Sequence, residues 1–132
     1  MRPVNPTNPV DSPPASQGNN MIVIARHSDA RQLEPLGKYF RANGIETIVV
    51  SFERLRKHFQ DRKLNVDAAP KGDGYFLLAY SDPLYNNPDT PGTDGYKAKQ
   101  KIIELGPKYK PAPGFDSFSA ESFRSAYGLK MQ

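Results

Sequence analysis

With no cysteine in the 132 residues, the two histidines His27 and His58 are the natural candidates for chemistry near neutral pH. Ile24-Ala25-Arg26-His27-Ser28-Asp29 sets an arginine and a histidine at the end of an apolar run. A histidine there could accept a phosphoryl group while arginine neutralises its oxygens. That chemistry also needs a second histidine opposite the first and an acid for the leaving group. His58 instead sits in a basic stretch much further along the chain, so catalysis is not expected. The basic stretch, residues 53–64, places Arg54, Arg56, Lys57, Arg62 and Lys63 around Leu55 and Phe59, which are four residues apart. It reads as a short amphipathic helix or an irregular insertion, with a cationic face that is either simply solvated or docks an acidic partner.

A second candidate is Gly74-Tyr75-Phe76-Leu77-Leu78-Ala79-Tyr80, an aromatic strand in which Tyr75 and Tyr80 could stack on a ligand. It partly resembles the base-stacking strand of RRM domains, which gives an RRM-like RNA-binding alternative. Asp73 stands where a basic residue belongs, Phe76 replaces a small residue, and the first strand offers no aromatic partner. Nucleic acid is therefore not the expected partner, and the net charge of +4 is far below that of a dedicated nucleic-acid arm. There is no glycine-rich phosphate loop, no metal-ligand spacing and no nucleophile elbow, so neither cofactor nor metal is expected.

These residues need elements to position them. Met21-Ile22-Val23-Ile24-Ala25 is a continuous apolar run, the pattern of a strand buried on both faces or nearly so. Asp29 with Gln32 has the form of a capping box, and Ala30, Leu33, Leu36 and Phe40 recur at helical spacing until Asn43-Gly44. Pro35 predicts that the regular helix begins only near Glu34. Residues 47–52 and 75–80 read as the second and third strands. Asp94 is expected to cap a second helix carrying Ala98, Ile102 and Leu105, with Gly106-Pro107 as its stop. The tail brings Phe115, Phe118, Phe123 and Tyr127 without alternation and predicts turns with a short helix near 121–127.

Five of the 13 prolines fall in residues 1–20, which contain few apolar side chains. That stretch reads as an extended or disordered linker, leaving one modest core in residues 21–132. No apolar run reaches the roughly 18 residues of a membrane span, and no signal-peptide pattern opens the chain.

The order strand, helix, strand, strand, helix resembles the SPOR-like domains of planctomycete proteins. The words that carry the likeness are Met21-Ile22-Val23-Ile24, Tyr39-Phe40-Arg41-Ala42-Asn43-Gly44-Ile45-Glu46-Thr47, Gly74-Tyr75-Phe76-Leu77-Leu78, Ile102-Ile103-Glu104-Leu105-Gly106 and the aromatic tail from Phe118 to Gly128. The basic segment after the second strand and the missing fourth-strand pattern depart from that family. The resemblance implies an α+β ferredoxin-like βαββα(β) sandwich with two helices on one sheet face, and a non-catalytic role in the cell envelope or a membrane-associated compartment. Its implied partners are a larger protein or assembly, or peptidoglycan glycan strands. The contact surface expected from the residues is the other sheet face or the basic segment, with Arg26, His27, Arg54, Arg56, Lys57, Arg62, Lys63, Tyr75 and Tyr80 as its binding residues.

Overall fold

The computed structural model describes residues 18–132, so most of the stretch read as a linker lies outside the described residues. Strand β1 (Asn20–His27) leads to α1 (Ala30–Ala42), β2 (Thr47–Ser51), α2 (Phe52–Asp61), β3 (Tyr75–Ala79), α3 (Asp94–Leu105), α4 (Ala120–Arg124) and β4 (Tyr127–Lys130). The strands form one antiparallel sheet in the order β2-β3-β1-β4. This is an α+β fold whose strand order fits a small ferredoxin-like sandwich. The sheet begins one residue earlier than the linker boundary drawn from composition. Asn20 pairs with Lys130 and exchanges two 2.9 Å backbone hydrogen bonds with Tyr85.

Pro35 does not delay α1, which runs from Ala30 straight through it. The N–H that proline lacks would have bonded the carbonyl of Arg31, an exposed residue of the first turn whose carbonyl water can satisfy. The capping box does not close. Asp29 accepts from the Arg31 N–H, but Gln32 turns away to accept the Asp116 N–H at 2.7 Å, and His27 Nδ1 takes the Asp29 N–H at 2.9 Å. The cap of α3 is Thr93, whose hydroxyl accepts from Tyr96 N–H, rather than Asp94, which accepts from the backbone and side-chain N–H groups of Asn86.

Side chains alternate between two cores, one on each face of the sheet. On one face Ile22, Ile24 and Leu77 meet Leu33, Leu36 and Phe40 of α1, Ile102 of α3 and Phe123 of α4. Each such large side chain contributes about 1.5–3 kcal/mol by leaving water. Gly37 lets α1 lie close to the sheet, since a Cβ there would sit 2.9 Å from Thr47 Oγ1. That buried hydroxyl is itself satisfied, donating to Gly37 O and accepting from Arg41 Nη1.

On the other face Val23, Phe76, Leu78 and Leu129 pack with Phe52, Leu55 and Phe59 of α2. Helices α1 and α3 thus share one face as expected, but the other face is not the open surface expected. The basic segment is a helix capped by Ser51, and its apolar side covers much of the face expected to be open. The tail supplies α4 and then β4, a fourth strand without sequence alternation because only Leu129 of its four residues is buried.

Candidate functional site

Helix α2 leaves part of its sheet face uncovered. β4 starts at Tyr127, opposite Val23, so beyond that pair β1 has β3 on one side and open space on the other. The space is a groove of about 370 Å³ with Val23, Arg26 and Phe76 as its sheet wall, and Phe118, Ser119, Glu121, Ser122, Ser125 and Tyr127 around it. Arg26 is exposed, and among the described residues it is in no ion pair. Tyr127 is 45 % exposed and near enough to Arg26 to feel its charge. Burial pushes the Tyr127 hydroxyl up, while Arg26 acts in the opposite sense, and the group stays protonated and able to donate at neutral pH. Phe76, only 3 % exposed, is held under Phe52 with ring centroids 4.7 Å apart.

The groove's helical wall is fixed from behind. Phe123 of α4 is fully buried, meeting Phe40 and Phe118 with ring centroids 6.1 and 6.5 Å apart. Ser119 caps α4 by accepting from the Ser122 N–H. The arrangement offers an aromatic ring, a guanidinium, hydroxyls and one carboxylate over a partly apolar floor, which suits a polar, multi-hydroxyl ligand.

The other expected binding residues scatter. His27 points to the α1 face, where its Nε2 lies 2.6 Å from Asp116 Oδ2. Because Nδ1 accepts the Asp29 N–H, Nε2 carries the proton and donates to Asp116. Both ring nitrogens are engaged, so the residue joins the start of α1 to the 112–118 segment.

Arg56 donates from Nη1 to the carbonyls of Pro70 and Gly72 at 3.0 and 2.8 Å, pinning the connection between α2 and β3. Lys57 pairs with Asp61 at 3.8 Å on the surface. Arg62 and Lys63 lie at the C-terminal end of α2, where cations complement the helix dipole. Arg54 is exposed and lines a different groove, against Ile48 and Val50. The basic segment is therefore divided among separate tasks and does not form one cationic face.

Tyr75 packs against the α1-side core, while Tyr80 lies beyond the other end of β3 beside Ser81, Asp82 and Pro83. A base-stacking platform is not assembled, since these rings are apart and Phe76 is covered by α2. Of the residues singled out from sequence, only Arg26 stands in the groove. Tyr127, Ser119, Glu121 and Ser122 were not singled out. Their only signal was a tail rich in aromatics and serine, and nothing in its spacing told which side chains face outward.

Compared with models of known protein families, with curated proteins and with solved structures, the chain matches none.

Proposed function

We propose that this chain is a non-catalytic binding module whose contact surface is the groove beside β1 and whose ligand is a glycan strand of the peptidoglycan type. The observation that carries the reading is the pairing of exposed Arg26 with Tyr127 over the uncovered part of the sheet, rimmed by serine hydroxyls. A tyrosine ring can cover the C–H face of a sugar, and the guanidinium and hydroxyls can meet its oxygens. The occupation of both His27 nitrogens supports a non-catalytic role, because a phosphoryl acceptor needs a free ring nitrogen. The resemblance to SPOR-like domains points the same way and would place the module in the cell envelope.

Pull-down with purified sacculi tests this reading. The chain should sediment with sacculi, and Arg26→Ala and Tyr127→Ala should each weaken retention at least tenfold while leaving the melting temperature within a few degrees. A chain that ignores sacculi but co-purifies at fixed stoichiometry with a larger protein would replace the glycan reading with an assembly role. Turnover of an aryl phosphate that disappears in His27→Ala would overturn the non-catalytic reading altogether.

A further inference from the structure

Strand β2 is an edge of the sheet, and its hydrogen-bonding groups can be assigned from the register. Tyr80 donates its N–H to Glu46 O and Phe52 donates its N–H to Gly74 O, each at 2.9 Å. Even-numbered residues of this segment therefore bond toward β3. The odd-numbered Thr47, Val49 and Ser51 turn their N–H groups outward, as do the carbonyls of Thr47 and Val49. No backbone partner meets these groups among the described residues.

Edge strands are normally protected by a charged residue, a proline or a bulge. The β2 sequence Thr-Ile-Val-Val-Ser has neither charge nor proline, and its register with β3 is unbroken from Thr47 to Ser51. Ile48 is 37 % exposed. The edge is flanked by a groove on each face. On the α1 side the space is about 370 Å³ and is lined by Glu34, Lys38, Arg41 and Thr47. On the α2 side about 450 Å³ is lined by Ile48, Val50, Arg54, His58 and Met131.

Three permanent cations, Lys38, Arg41 and Arg54, thus flank the edge against one carboxylate, Glu34. None of the four is in an ion pair among the described residues. We propose that β2 is a docking edge for an extended segment of a partner protein, which adds a fifth strand with β-branched residues at its centre and acidic residues at its flanks. Main-chain bonds to Thr47, Val49 and Ser51 supply the attachment, and the cations on the two faces select acidic neighbours. A second copy of this chain fits less well, because it would bring the same cationic flanks to the same edge. This surface lies at the opposite edge of the sheet from the groove beside β1 and does not depend on the ligand assigned there.

The test uses a synthetic peptide with four alternating valines and threonines flanked on each side by two glutamates, its lysine-flanked twin, and amide hydrogen exchange. The glutamate peptide should bind at least tenfold more tightly than the lysine twin and should slow exchange at the Thr47, Val49 and Ser51 amides. Ile48 and Val50, already bonded to β3, should change little. Lys38→Glu with Arg54→Glu should reverse the preference between the two peptides. Val49→Pro should abolish binding by removing an outward N–H without touching the bonds to β3, and Ile48→Lys, which leaves the backbone intact, should weaken it if the proline variant does not fold.

Equal binding of both peptides, or no added protection at these three amides at saturating peptide, overturns the proposal. So does a concentration-dependent dimer that protects the same amides without peptide, which would assign the edge to a second copy.

Discussion

Gly106 follows the last residue of α3, and two rules for replacing it by alanine give opposite signs. Its backbone is right-handed helical, with φ −53° and ψ −51°, so no left-handed turn requires glycine there. Helix propensity alone favours alanine by about 0.8–1 kcal/mol. Packing opposes it, because a Cβ at this position would lie 2.2 Å from Phe123 Cγ and 2.4 Å from both Cδ atoms. The ring cannot retreat easily, being fully buried and held by Phe40 and Phe118. Forcing a methyl into such a core costs about 1–3 kcal/mol, and this overlap puts the cost at the upper end. The net expectation for Gly106→Ala is a loss of about 2 kcal/mol. For a domain of this size that corresponds to a fall in melting temperature of roughly 8 °C. Differential scanning calorimetry measures it, and Gly106→Ala combined with Phe123→Leu should cost less than the sum of the two single changes, since the smaller side chain relieves the overlap. A melting temperature unchanged or raised in Gly106→Ala would refute the reasoning, and with it the placement of the ring over the end of α3.

Arg56→Met should cost about 1–2 kcal/mol in urea titration by leaving the Pro70 and Gly72 carbonyls without their donor, whereas Arg62→Ala should change stability by less than about 0.5 kcal/mol. Hydrogen bonds from Arg31 hold the Asp29 carboxyl below its ordinary value of 3.8, so its contribution to stability is present above that value and lost as pH falls through the lowered one. Carboxyl NMR titration should show that low value, and Arg31→Ala should move it upward. A chain trimmed to 18–132 should melt higher than one trimmed to 21–132, because the shorter chain loses the two Asn20–Tyr85 bonds and the bond from Met131 N–H to Asn19 O, together about 2–3 kcal/mol.

What could be read from the sequence depended on whether a pattern was local. Ile22, Val23 and Ile24, or Leu33, Leu36 and Phe40, announce their element by spacing alone, and β1, β2, β3, α1 and α3 were legible for that reason. The second core was also written there. A run apolar at every position, such as Met21 to Ala25, needs cover on both faces, and α2 provides it through Phe52, Leu55 and Phe59. Strand β4 lacked any such pattern. Of Tyr-Gly-Leu-Lys only Leu129 enters a core, and Gly128 is fitted beneath Pro88, where a Cβ would lie 2.7 Å from Cδ. Gly106-Pro107 marked the end of α3 correctly, but the reason for the glycine, a ring from residue 123 lying against it, was not local and could not be read. The groove beside β1 was illegible because Arg26 and Tyr127 come from opposite ends of the described chain, and only the pairing of β4 with β1 brings them together.

That pairing also governs how the molecule can assemble. Residues 20–23 find their partners at 127–130, so one of the two neighbours of the central strand β1 is supplied from the other end of the described residues. Closing so long a loop costs entropy before any contact offsets it, which makes late β4 docking the slow, non-local step of folding. On a ribosome, β1, β2 and β3 would emerge and pair while one side of β1 still exposed its N–H and C=O groups. During that interval β1 is itself an open edge that can recruit another strand, and the pairing of residues 127–130 turns it into an interior strand.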